Sequence, residues 1–174
     1  MRRPVIGVVG AGNPSTGSLA AACELGRLLA ERGWIVLTGG RPAGVMAAAC
    51  AGAKQVLGSL TLGILPGSSG GVCPDVDLAV FTGMGDARNA INVLTSDVVV
   101  ACGVEGPGTV SEIALALKTK TPVILLGAPT SARALFGSIG GGGRLFEASS
   151  PQGVVRVIEE KLAIRPGAKW VKEG

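Results

Sequence analysis

With 174 residues, the chain has the length of one domain and can bury a substantial core. A net charge of +4 comes from dispersed Lys and Arg, and aromatic residues make up only 3%, so neither phosphate-backbone neutralisation nor base stacking has its residues: nucleic acid is set aside, and a small anionic ligand fits. No apolar run spans a bilayer. With no histidine and four scattered cysteines (Cys23, Cys50, Cys73, Cys102), no protein-ligated metal is expected either; the thiols are read as reduced and structural.

The chain passes from Met1-Arg2-Arg3 into Val5–Val9, a run too short for the apolar region of a signal peptide. It predicts a first strand and a cytoplasmic protein. The strand ends in Gly10-Ala11-Gly12-Asn13-Pro14-Ser15-Thr16-Gly17, and Ala21, Leu25, Leu28 and Leu29 then follow helical spacing. Trp34–Leu37 predicts a second strand ending in Thr38-Gly39-Gly40-Arg41, and Val45–Leu57 an alanine-rich helix. The strands Leu60–Leu65 and Leu78–Phe81 end in Pro66-Gly67-Ser68-Ser69-Gly70 and Thr82-Gly83-Met84-Gly85-Asp86. In the third helix, Ala87, Ala90, Ile91 and Leu94 form an i, i+3, i+4, i+7 stripe, with Arg88 and Asn89 opposite it. After the strand Val98–Cys102 comes Gly103-Val104-Glu105-Gly106-Pro107-Gly108-Thr109, then a second such stripe at Val110, Ile113, Ala114 and Leu117. Val123–Leu126 predicts a sixth strand, Gly137–Gly143 a flexible loop, and Pro151 to about Ala163 a last helix before a frayed tail at 165–174. Strand–helix alternation, with strands apolar enough to be buried on both faces, predicts one Rossmann-like, doubly wound parallel α/β domain over 1–174.

In such a sheet, ligands bind beyond the carboxyl ends of the strands, and here those ends are rich in glycine. Glycine lets a ligand oxygen approach backbone N–H groups, and the helix that follows adds free donors and a positive dipole end. A dinucleotide fingerprint fails because the third glycine, Gly17, comes late and the second strand ends without an acidic residue. A P-loop fails because Ser18 stands at the lysine position. Thr109 followed by Glu112 reads either as a capping box, with Thr109 as N-cap, or as a phosphate cradle of Gly106, Gly108 and Thr109 with Glu112 facing the ligand. Arg88 reads as a phosphate partner at the same sheet edge. Met46, Met84 and Cys102 read as core.

Three segments together carry a resemblance: Thr38-Gly39-Gly40 with Gly44-Val45-Met46, Gly83-Met84-Gly85-Asp86-Ala87-Arg88-Asn89, and Gly106-Pro107-Gly108-Thr109 leading to Glu112-Ile113-Ala114-Leu115-Ala116-Leu117-Lys118. They resemble the molybdenum cofactor carrier proteins, over nearly the whole chain and most weakly from Ser131 onward. Those carriers share a Rossmann superfamily with the Lonely Guy-type phosphoribohydrolases. The resemblance implies a carrier that holds the molybdenum cofactor, a pterin with a terminal phosphate and a dithiolene-bound metal, for transfer to molybdoenzymes. It implies a homo-oligomer, dimer or tetramer, built on the two apolar helix stripes. The implied binding residues are Gly10, Gly12, Asn13, Thr38, Gly39, Gly40, Gly83, Met84, Arg88, Asn89, Gly106, Pro107, Gly108, Thr109 and Glu112. The alternative is a nucleoside 5′-monophosphate phosphoribohydrolase with Arg88 and Glu112 as its catalytic pair. Against it, Val104-Glu105 replaces that family's Pro-Gly, and a carboxylate at Glu105 requires a partner if phosphate is to bind nearby. A third reading is a nucleotide-sensing or scaffold domain without turnover.

Overall fold

The computed structural model describes residues 3–139, 143–161 and 163. Seven strands form one parallel sheet: β1 (Val5–Val9), β2 (Ile35–Thr38), β3 (Thr61–Leu65), β4 (Leu78–Phe81), β5 (Val98–Cys102), β6 (Val123–Leu126) and β7 (Leu145–Ala148). Their order is β4-β3-β2-β1-β5-β6-β7, so the winding reverses between β1 and β5. Six helices alternate with them: α1 (Thr16–Glu31), α2 (Gly44–Ala53), α3 (Asn89–Thr95), α4 (Pro107–Lys118), α5 (Thr130–Ser138) and α6 (Pro151–Lys161). A single 3-10 turn, Gly85–Arg88, leads into α3. This is the Rossmann-like doubly wound architecture that the alternation predicts.

The central strands bury both faces, as their continuous apolar runs require. Ile6, Val8, Val98, Val100 and Cys102 point toward α1, α2 and α6. Val9, Val99 and Ala101 point the other way, onto Val93 of α3, Ile113 of α4 and Phe136 of α5. Burial pushes the Cys102 thiol up to about 12 and the Cys50 thiol up to about 11, and all four cysteines are free. Among the described residues, no helix is long and apolar enough to cross a membrane.

Three features depart from the sequence reading. β4 is an edge strand whose residues are exposed throughout, with no helix packed on it among the described residues. α5 and β7 were not anticipated: Gly137 and Ser138 of the expected loop close α5, and Gly140–Gly142, like the expected tail at 165–174, lie outside the described residues. The third helix is also rotated. Its buried residues are Asn89, Asn92 and Val93, with Arg88 just ahead of them, while Ala87 and Leu94 of the apolar stripe face outward. On α4, likewise, Thr109, Glu112, Ile113 and Ala116 are buried while Val110 and Ala114 are exposed.

α1 and α2 pack almost backbone to backbone. A Cβ at Gly26 would stand 2.0 Å from the Ala49 carbonyl oxygen, and one at Gly52 would stand 1.8 Å from that of Cys23. Gly26→Ala is therefore expected to destabilise by about 1–3 kcal/mol through overpacking, although alanine is the better helix former by about 1 kcal/mol. Thermal unfolding reads the balance: a Tm lower by several degrees is expected, and an unchanged or higher Tm would mean that the helices separate without cost.

Candidate functional site

Because β1 pairs directly with β5, the loops that leave their carboxyl ends stand side by side, and a crevice opens between them. Its cavity of about 320 Å³ is lined from four directions: Val8–Asn13 at and beyond the end of β1, Gly39, Arg41 and Met46 around the end of β2, Asp86, Arg88 and Asn89 at the start of α3, and Glu105–Thr109 with Glu112 from the β5 loop and α4.

The α4 end is built for an anion. Gly106 is the N-cap and contributes no side chain, and Pro107 occupies the first turn, where its missing N–H costs nothing. The first helical bond runs from Val110 N–H to the Gly106 carbonyl at 3.2 Å, which leaves the Gly108 and Thr109 amides free of intrahelical partners. The capping box is thus absent. Thr109 lies inside the helix, and its buried hydroxyl has no partner among the described residues. Glu112 does not fold back to the cap; its Oε1 accepts a hydrogen bond from Asn92 Nδ2 at 2.9 Å and lies 3.8 Å from Arg88 Nη1.

The rotation of α3 brings Arg88 to the cavity floor. The guanidinium is buried, its Nε has no partner among the described residues, and it lies so close to Gly39 that a Cβ there would be 2.7 Å from Nη2. Asn89 Nδ2 donates to Ser111 Oγ at 3.0 Å, which donates in turn to the Gly108 carbonyl at 2.8 Å, so a polar seam fastens α3 to the first turn of α4. Burial depresses the Arg88 pKa, and Glu112 opposes that effect. Burial raises the Glu112 pKa, against the Asn92 hydrogen bond and the charges of Arg88 and Arg41. The three buried side-chain atoms without a partner among the described residues are Arg88 Nε, Asn92 Oδ1 and Thr109 Oγ1, all on this seam. Native proteins rarely leave such groups unpaired except where a ligand or water completes them.

Glu105 has the partner its position demands. It accepts from Ser15 N–H and Ser15 Oγ, both at 2.8 Å, and from Ser18 Oγ at 2.9 Å. Those hydrogen bonds, led by the Ser15 backbone, hold its carboxyl below the usual range.

Of the residues singled out in the sequence, Gly10, Gly12, Asn13, Gly39, Arg88, Asn89, Gly106, Pro107, Gly108, Thr109 and Glu112 line the cavity. Thr38, Gly40, Gly83 and Met84 are not among its walls. Thr38 Oγ1 accepts from Gly40 N–H at 3.1 Å, beneath the β2 loop. The Gly40 carbonyl accepts from Cys73 N–H, and Gly83 N–H donates to the Gly67 carbonyl. Met84 is exposed rather than core, whereas Met46 is buried and reaches the cavity. Sequence reasoning passed over Arg41. Its exposed guanidinium lies against Gly12 and makes no hydrogen bond among the described residues. The available signal was its place directly after Thr38-Gly39-Gly40, at the carboxyl end of a central strand.

The family model described as the SLOG cluster4 family matches residues 3–155. The chain belongs to this family. A molybdenum cofactor binding protein from Rippkaea orientalis is 47% identical, with a TM-score of 0.89 over 93% of this chain and 99% of that one. The molybdenum cofactor carrier protein of Chlamydomonas reinhardtii is 44% identical, with a TM-score of 0.85 over 92% and 99%. An uncharacterized protein of Archaeoglobus fulgidus is 41% identical over 135 residues, which is 73% of this chain and 87% of that protein.

An unpartnered buried hydroxyl burdens the empty fold. Thr109→Val keeps the shape and removes that burden, so the ligand-free protein is expected to gain about 1 kcal/mol, read as a Tm a few degrees higher. A lower Tm would mean that the hydroxyl is already satisfied.

Proposed function

We propose that this protein binds, shields and carries the molybdenum cofactor. The observation that carries the reading is the cradle at α4: Gly108 and Thr109, whose amides have no intrahelical partner, line one cavity together with Arg88, and the Thr109 hydroxyl and Arg88 Nε are buried without a partner among the described residues. That donor set suits a terminal phosphate. Arg41 on the rim supplies a second cation, and Val8, Val9 and Met46 supply apolar wall for a flat ring. The relatives described as cofactor carriers cover nearly the whole chain at 44–47% identity, and this supports the choice of ligand.

In this reading the protein grips the phosphate and the pterin, not the metal. The chain has no histidine, and none of its cysteines lines the cavity. Delivery is to molybdoenzymes in the cytoplasm. We favour carriage over N-glycosidic hydrolysis because the Glu112 carboxylate is engaged by Asn92 and sits beside Arg88, a stable resting pair, and because Glu105 is fastened to the α1 end. We also propose that copies assemble through the outward faces of α3 and α4. Leu94 is 59% exposed there and Val110 37%, and Met84, ahead of the turn into α3, is 51% exposed, so these elements offer apolar surface for a symmetric contact.

One sizing-column experiment tests both parts. Protein mixed anaerobically with isolated molybdenum cofactor should elute as a dimer or tetramer, with molybdenum and pterin near one per chain. Arg88→Ala should cut the bound cofactor by about tenfold or more, the worth of one or two charge-assisted hydrogen bonds. Leu94→Glu should move the peak to monomer mass, and AMP should release no adenine. Absence of both molybdenum and pterin from the protein peak would contradict the reading.

A further inference from the structure

Two helix N-termini lie at this edge of the sheet, that of α4 on the cavity wall and that of α1 behind Glu105, and they are treated differently. The α4 terminus is open. The α1 terminus, where a doubly wound fold commonly seats a pyrophosphate, already holds an anion. Ser15 is the N-cap of α1, and the Glu105 carboxylate takes its N–H and Oγ together with the Oγ of Ser18. Ser18 N–H is spent on Ser15 Oγ at 3.3 Å, and Pro14, just before the cap, offers no N–H at all. The turn that delivers Glu105 is tight: Gly103 has φ +68°, and a Cβ there would stand 2.8 Å from Ser18 Oγ and 3.1 Å from Glu105 Oε1. Glu105 also lines the cavity, so its charge faces any ligand there.

We infer that Glu105 is a specificity-determining residue that limits the ligand to a single phosphate group. A lone phosphate at Gly108, Thr109 and Arg88 stays on the open side. The second phosphate of a pyrophosphate-bearing ligand, such as a nucleoside diphosphate or a dinucleotide, is carried toward the α1 end. There it meets a fixed negative charge, and the N–H of Ser15 and the hydroxyls of Ser15 and Ser18 are already taken by it. The carboxylate thus occupies the anion seat from within the protein and excludes that ligand class by like charge. This rests on the reading of the cavity as a phosphate site.

The test uses inorganic phosphate and pyrophosphate as probes. Each is titrated calorimetrically at fixed ionic strength into the wild-type protein, Glu105→Gln and Glu105→Ala. Glu105→Gln retains an acceptor for the serines while removing the charge, and a cooperative melt confirms that each variant is folded. In both variants, pyrophosphate is expected to gain about tenfold over phosphate relative to the wild type, the scale of one unit charge removed at close range in a partly screened site. If phosphate binds all three proteins and the pyrophosphate-to-phosphate affinity ratio does not move, the specificity role of Glu105 is overturned while the phosphate site stands. If phosphate fails to bind the wild type saturably, the phosphate site itself falls, and this inference falls with it.

Discussion

The pairing of β1 with β5, from Ile6 opposite Val98 to Val9 opposite Ala101, is the constraint from which the rest follows. It places side by side two strands that are distant in sequence and whose following helices cover opposite faces of the sheet: α1 packs with α2 and α6, while α4 packs with α3 and α5. The loops must therefore diverge, and the space between them is the crevice. Buried apolar side chains on both faces hold that pairing. The same loops deliver the Gly10–Asn13 turn and the Glu105–Thr109 turn to the lining of one cavity.

Charge then decides what the crevice can accept. It has two positive helix ends and two arginines, enough to attract several anions. The protein fills one helix end with Glu105 and sets Glu112 beside Arg88. The other end, that of α4, carries no carboxylate at its cap, and its Gly108 and Thr109 amides are unspent. A resting pair that holds a buried guanidinium in place while leaving its Nε free keeps the cradle formed without a ligand, and this suits a protein that must bind and also release. The unpaired Thr109 hydroxyl and Arg88 Nε cost stability in the empty state, as preorganised sites commonly do.

Much of this was legible in the residues. β1, β4, β5 and β6 have the limits that their apolar runs predict, and most of the glycine-rich loops converge as a parallel sheet requires. What escaped did so for physical reasons. Periodicity marks a stripe on α3 but not which way it faces. Here the inward face is the polar one, because Asn89 and Asn92 find partners on α4, and those partners lie 22 and 20 residues away. The β4 run looks like a buried strand, yet it stands at a sheet edge and is exposed along its length. β7 has four residues and no β-branched one, so it lacks the usual strand signature. Pro107 after Gly106 was the better start signal for α4 than Thr109, since proline belongs in a first turn. The role of Glu105 could not be read locally, because Ser15, which receives it, lies 90 residues earlier.

The central claim is that the open end of α4 is the anion seat. It is tested most directly by following backbone amide resonances of the 15N-labelled protein while inorganic phosphate is added. The amides of Gly108 and Thr109 and the Nε–H of Arg88 should shift together and saturate, while those of Ser15 and Ser18 stay where they are. Shifts centred on the first turn of α1, or a silent α4, would contradict it.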